Sequence, residues 1–451
     1  NKQFMYLKRK VSPSLAEAVF DLEIGGVYGK SEYSRFYPAG EVTAQLLGFT
    51  NVDNKGQEGF ELSYDKYLEG SDGSRKVVKD LFQRTIKVLK HVEEPSPGKD
   101  ITLSIDLRLQ YLAYKQLKTA VKHHRADGGT AVILDVKTGE VLAMVNQPSF
   151  NPNDRSDMKI ASVRNRALTD VFEPGSTVKP LAMLAALESG EFQAHSEIDT
   201  RPGYVKVGRK TLLDPVNYGV IDVTKVITKS SQVGMTKIAL SLDQETIPGM
   251  YTRLGFGQYL QTGFPGERTG RLPGRTKWRP IEQATLSFGN GVSVTALQLA
   301  QAYATLANNG EKLPVNLLLQ DEQAQGEQIV DAKYAQQVVE MLKTVVQPGG
   351  TARKARTGSY SVAGKTGTSH KVGRGGYEDG KYLSLFAGMA PASDPRLVAV
   401  IVVDDPKGRE YYGGEVAAPV FSKIISGSLR MLNVVPDKLT SLASNDVMGR
   451  L

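Results

Sequence analysis

The sequence predicts an α+β fold, an antiparallel sheet covered by helices and preceded by a β-rich N-terminal domain. Three observations predict it. Neighbouring strand-like runs are joined by short turns, and short connections favour antiparallel neighbours. Long helix-periodic segments run between those strands, so helices have to cover the sheet. The pattern changes near residue 98, at the turn cluster Pro95-Ser96-Pro97-Gly98.

Residues 1–98 alternate short β-like runs with Gly-rich and charge-rich turns, and no chemistry is visible in them. From Ile101 the pattern is a strand over residues 101–105 and then an amphipathic helix to about His123. Residues 130–135 and 141–145 flank Lys137-Thr138-Gly139-Glu140, which reads as a hairpin. A helix opening at Ser176, a helix near 283–308, and strands at 361–368, 384–390 and 396–403 follow. Residues 318–328 are rich in Gln and Glu and read as a surface loop. The expected domains are 1–98, 99–436 and a mobile tail, 437–451, low in apolar content. There is no internal repeat.

Chemistry enters with three short motifs. Ser-x-x-Lys occurs four times, at Ser63/Lys66, Ser96/Lys99, Ser156/Lys159 and Ser176/Lys179. Ordinary composition predicts roughly one or two, so one hit alone says little. Ser96 and Ser156 sit in turn-rich segments, and Ser63 has no long apolar stripe behind it. Only Ser176 opens a long apolar run, Leu181-Ala182-Met183-Leu184-Ala185-Ala186-Leu187, entered through Glu173-Pro174-Gly175 and left at Gly190. Pro180 is tolerated only near a helix start. Ser176 and Lys179 are therefore expected in or beside the first turn, on one face.

That placement suits nucleophilic catalysis, because a serine hydroxyl needs a neighbouring base. None of the five His (91, 123, 124, 195, 370) lies beside a serine in a nucleophile-elbow pattern. A lysine serves as base when burial or a nearby cation lowers its pKa. Lys365, in Lys365-Thr366-Gly367-Thr368, is the expected cation. Its rival reading is the end of a phosphate-binding P-loop, but the required Gly falls at Ser359, and glycines rather than a helix follow. A strand ending Lys-Thr-Gly-Thr instead pairs its edge with an extended substrate, with Gly367 leaving room for close approach. Ser230-Ser231-Gln232 completes the set. The order Ser-x-x-Lys, Ser-x-amide, Lys-Thr-Gly is that of active-site serine enzymes that open amide bonds without histidine.

With these motifs the chain resembles the class B penicillin-binding proteins, most closely the division-type peptidoglycan transpeptidases. The resemblance also covers Arg35-Phe36-Tyr37-Pro38-Ala39-Gly40, Gly56-Gln57-Glu58-Gly59, Asp106-Leu107-Arg108-Leu109-Gln110, Val171-Phe172-Glu173-Pro174-Gly175-Ser176-Thr177-Val178-Lys179-Pro180 and Gly289-Asn290-Gly291. It implies Ser176 as acyl nucleophile, Lys179 as acylation base, and Ser230 as proton relay to the leaving amine. Lys365 would set the local potential and bind the substrate carboxylate, with Thr366 and Thr368 as hydroxyl donors. The N–H groups of Ser176 and Thr368 would form the oxyanion hole. Tyr411 and Tyr412 would line the pocket. The family's second motif usually ends in Asn, and Gln232 adds a methylene, so activity with altered donor-peptide or β-lactam preference is expected.

The resemblance further implies a β-rich pedestal over 1–98 and a transpeptidase domain over 99–436. The implied reaction is cross-linking of stem peptides ending in D-Ala-D-Ala during septal wall synthesis, with β-lactams acylating the same serine. No metal or organic cofactor is implied. Implied partners are a membrane-embedded glycan polymerase and divisome proteins, and the implied location is the bacterial periplasm, tethered by a single-pass inner-membrane anchor outside this sequence. A serine β-lactamase and a non-catalytic β-lactam-binding or division-scaffold module are the alternatives.

Composition agrees. At 451 residues the chain has room for two or three domains. Its formal charge of +8 suits anionic wall or lipid surfaces, and no nucleic-acid motif or basic-aromatic cluster accompanies it. With no Cys, disulfides and thiol chemistry are excluded. No apolar run approaches the roughly 18 residues needed to span a bilayer.

Overall fold

Residues 397–403, Leu-Val-Ala-Val-Ile-Val-Val, are apolar at every position, the pattern of a strand covered on both faces. In the computed structural model, which describes residues 5–81, 85–275, 277–322, 324–373 and 375–438, they form the middle of a five-stranded sheet. Its strands are β1 (Gly128–Asp135), β2 (Val141–Gln147), β3 (Ala363–Gly373), β4 (Gly376–Ala390) and β5 (Leu397–Asp404). The order is β3-β4-β5-β1-β2, and every neighbouring pair is antiparallel. The hairpin at 137–140 joins β1 to β2 as the sequence predicts. β3 lies at an edge, so among the described residues one side of its backbone is free of strand partners.

Helices cover the buried strands. Helix α1 (Leu107–His123) is capped by the Asp106 carboxylate and buries Leu109, Ala113, Leu117 and Ala120, spaced by four, four and three residues along one face. Its buried Gln110 exchanges two hydrogen bonds with the backbone of Met144 on β2, at 2.9 and 2.8 Å. Helix α2 (Lys179–Glu188) is buried along nine of its ten residues, so it forms the centre of the helical layer. Helices α3 (Val223–Lys229) and α4 (Gln232–Ser241) meet at Ser230-Ser231. Helix α5 (Ala296–Ala307) packs on β1 and β5, and α6 (Gly413–Met431) packs on α1 and β4.

The chain divides into two compact units, one of Asn1–Ile101 with Phe150–Val163, the other of Thr102–Ser149 with Arg164–Leu451. Segment 150–163, read from sequence as a loop within the second domain, groups with the first unit. There Phe150 packs with Tyr37, Ala44 and Phe49, edge to face with Phe49 at 5.8 Å. Asn153 exchanges two hydrogen bonds, both 2.9 Å, with the backbone of Tyr37. The β-like reading of 1–98 fits the hairpin Ser74–Lys79 with Thr85–Glu93. Short helices stand instead at Pro13–Phe20, Ala44–Leu47, Gly59–Ser63 and Asp65–Leu68.

Two further expectations are adjusted. The single helix near 283–308 is two, Pro280–Leu286 and α5, because Gly289 (φ +89°) and Gly291 (φ +83°) take the left-handed backbone that ends a helix. The third strand runs on to Gly373, where the glycines read as a turn begin a long hairpin with β4. The expected tail beyond residue 438 lies outside the described residues.

Candidate active site

The nucleophile candidate sits in a tight turn. Gly175–Val178 is one 3-10 turn that runs directly into α2. Thr177 Oγ1 closes the turn by donating to Pro174 O at 2.7 Å. Two close approaches fix the turn from outside. A Cβ on Gly289 would stand 2.3 Å from Gly175 O, and one on Gly367 would stand 2.9 Å from Thr177 Cγ2. The buried Tyr303 hydroxyl of α5 donates to Thr177 O at 2.7 Å. Ser176 is thus a half-buried residue on an immobilised backbone.

Lys179 follows one turn later and is fully buried, as is Lys365 on β3. The structure joins them through one hydroxyl. Lys365 Nζ donates to Ser230 Oγ at 2.9 Å, and Lys179 Nζ lies 3.2 Å from the same atom and 2.5 Å from Ser230 O. Ser230 reaches this position by an uncommon backbone, φ +56° and ψ +37°, at the end of α3. For a residue other than Gly that conformation costs about 1 kcal/mol or more, and such strain concentrates at functional sites. Ser176 Oγ makes no hydrogen bond among the described residues. Resting catalytic contacts are often loose and tighten around substrate.

Two buried ammonium groups around one hydroxyl cannot both keep their ordinary pKa. Burial pushes Lys179 down to about 7, with the Asp214 carboxylate pulling the other way. Burial also pushes Lys365 well down, and the Lys179 charge adds to it. At neutral pH the pair therefore includes a neutral amine able to accept a proton.

Edge strand β3 presents Thr366, Gly367 and Thr368. Thr366 Oγ1 pairs with Thr351 Oγ1 at 3.0 Å, and Lys365 also donates to Thr366 O at 3.2 Å. Thr368 Oγ1 accepts Gly413 N–H at 3.0 Å, which leaves its own proton free to donate. Tyr411 and Tyr412 precede α6 and stack at 4.4 Å, while Tyr411 stacks on Tyr382 of β4 at 4.3 Å. Gln232 is half-buried at the start of α4, and its side-chain amide has no hydrogen-bond partner among the described residues. Lys179, Ser230 and Lys365 converge, Ser176 stands one turn before Lys179, Gln232 lies two residues from Ser230, Thr366 and Thr368 lie on β3, and the two tyrosines precede α6.

Sequence reading missed two carboxylates. Asp214 accepts hydrogen bonds from Ser231 Oγ and from the N–H groups of Gln232 and Val233. Glu173, three residues before Ser176, accepts from Asn290 Nδ2, Gly291 N and Tyr377 OH at 2.8–2.9 Å. Glu173 was legible as a helix-entry residue and as part of the signature stretch 171–180, with no role of its own. Asp214 carried no signal, because its partners lie beyond an intervening strand and helix.

Comparison with known proteins follows this geometry. The profile of the penicillin binding protein transpeptidase domain matches residues 129–426, and that of the penicillin-binding protein dimerisation domain matches residues 1–103. The chain is 46% identical over 440 residues to the probable peptidoglycan D,D-transpeptidase PbpC of Pseudomonas aeruginosa, covering 97% of this chain and 78% of that protein. It is 43% identical over 444 residues to the peptidoglycan D,D-transpeptidase FtsI of Escherichia coli, covering 98% and 75%. The ligand-free transpeptidase domain of penicillin-binding protein 3 from Burkholderia pseudomallei superposes with a TM-score of 0.69 at 41% identity. That match covers 76% of this chain and 99% of the other.

Proposed function

The chain belongs to the penicillin-binding protein transpeptidase family, and from that premise we propose that Ser176, Lys179, Ser230 and Lys365 are its catalytic centre. It is a peptidoglycan D,D-transpeptidase, a serine acyltransferase that cross-links stem peptides in septal wall synthesis and is acylated by β-lactams. The observation that carries the assignment is the Ser230 hydroxyl held between two buried lysines.

Neutral Lys179 takes the proton of Ser176 Oγ as that oxygen attacks the penultimate D-Ala carbonyl. Charge developing on the carbonyl oxygen is met by the N–H groups of Ser176 and Thr368, donors that act in the transition state. Ser230 passes the proton to the departing amine, and terminal D-Ala leaves. Lys365, Thr366 and Thr368 bind its carboxylate, beside Gly367, Tyr411 and Tyr412. Gln232 contacts the donor peptide. An amine of a neighbouring stem then attacks the Ser176 ester, its proton passes through Ser230 to Lys179, and Lys179 returns a proton to Ser176 Oγ as the ester bond breaks and the cross-link forms. The β-lactamase alternative lacks support, since the curated relatives are transpeptidases.

Family resemblance also supports finer proposals: we propose that the 1–98 region contacts a membrane-embedded glycan polymerase and divisome proteins, and that the enzyme works in the periplasm at the inner membrane. Among the described residues no helix is long and apolar enough to cross a membrane. Fluorescent penicillin tests the nucleophile. Labelling is expected in the wild type and absent in Ser176→Ala; labelling that persists in the variant refutes the assignment.

A further inference from the structure

Asp214 belongs to none of the three motifs, yet its side chain is buried, 8% exposed. Its two oxygens take three hydrogen bonds from the segment that follows Ser230. Oδ2 accepts Ser231 Oγ at 2.5 Å, and Oδ1 accepts the N–H groups of Gln232 at 2.6 Å and Val233 at 3.2 Å. These N–H groups open α4 and have no partner within the helix. Capping alone does not require a carboxylate here, because Ser231 Oγ already accepts Gly234 N–H at 2.8 Å. The additional bonds tie down the two residues that immediately follow the strained Ser230.

We propose that Asp214 is a positioning residue for acylation, locking Ser230 and Gln232 in register and supplying the fixed negative charge that tunes Lys179. Of the charged groups facing this site, the Asp214 carboxylate acts on Lys179, and the Lys179 charge in turn helps hold Lys365 on β3 down. Burial drives Lys179 towards neutrality, and Asp214 limits that shift. Tyr218, in the same loop, is held neutral by burial and by Asp214 and adds no charge. The carboxylate thus trades basicity against availability. A more neutral Lys179 is more often ready to accept a proton, but accepts it less strongly. The inference rests on Lys179 acting as the base.

The test is the second-order rate constant for acylation by fluorescent penicillin, followed between about pH 5.5 and pH 9.5. A base must be unprotonated to act, so the rate falls as pH drops through its pKa. Asp214→Asn removes the charge and is expected to move this acid limb to lower pH while lowering the alkaline plateau about tenfold or more. Ser231→Ala loses two bonds, to Asp214 and from Gly234 N–H, but keeps the charge, and is expected to lower the plateau a few-fold with the limb in place. Asp214→Glu is expected to restore the limb. An Asp214→Asn protein with wild-type melting temperature, limb and plateau overturns the proposal. Should Asp214→Asn not fold, Ser231→Ala with an unchanged plateau overturns it. Failure of the wild type to be acylated would instead overturn the assignment of Ser176 and Lys179.

Discussion

Lys179 is useful to the chemistry and harmful to the fold. Its pKa is 10.5 when exposed and about 7 in the folded protein. Between those values the unfolded chain binds more protons, so stability rises with pH across that window. Below about 7 both states are protonated and the full penalty of the buried charge applies. Lys179→Met is therefore expected to raise the stability at pH 7 by on the order of 1–3 kcal/mol, and the melting temperature with it. It should flatten the stability–pH curve from 7 to 10.5 and abolish penicillin labelling. Thermal melts at several pH values check all but the last. Gln232 makes a second residue-scale case. Its amide is unbonded among the described residues, so Gln232→Asn should leave the melting temperature unchanged. It should shift by about threefold or more the ratio of acylation by benzylpenicillin to that by 6-aminopenicillanic acid, which lacks the acylamino chain. An unchanged ratio removes Gln232 from donor recognition.

At the scale of elements, the nucleophile turn depends on glycines in other segments. Gly289→Ala places a methyl group 2.3 Å from Gly175 O on a backbone with φ +89°. It is expected to cost about 1–3 kcal/mol and to slow acylation more than it weakens ligand binding, since the turn itself must shift. Stopped-flow acylation at varied ligand concentration separates the two effects. What was legible in the sequence follows the range of the interactions. The helix opening by Ser176 and Lys179, the hairpin at 137–140 and strand β5 were readable because local periodicity and turn residues specify them. Ser230 was found as a motif letter, but its left-handed backbone was not, since no glycine marks it. Glu173 escaped because its partners Asn290 and Tyr377 are 117 and 204 residues away. Pattern reading also ran α5 into the preceding helix, because apolar spacing continues across Gly289-Asn290-Gly291.

At the scale of the molecule, the two units carry different duties. We assign 99–436 to catalysis, and a chain starting near residue 99 should still be labelled by penicillin. It should be less soluble, because Phe150, Met158 and Val163 lose the Tyr37, Ala44 and Phe49 surface they pack against. Penicillin labelling and light scattering on the truncated chain check both halves of that statement. The same packing imposes an order on synthesis. Tyr37 and Asn153 are 116 residues apart, and at roughly 5–20 residues per second a ribosome needs roughly 6–23 s to join them. The amino-terminal unit, first to be made, therefore cannot close until part of the second has emerged. For that interval Tyr37 and Phe49 wait uncovered, and the N-terminal hundred residues of a nascent chain stopped at residue 149 should be cut by protease far faster than those of one extended well past residue 163.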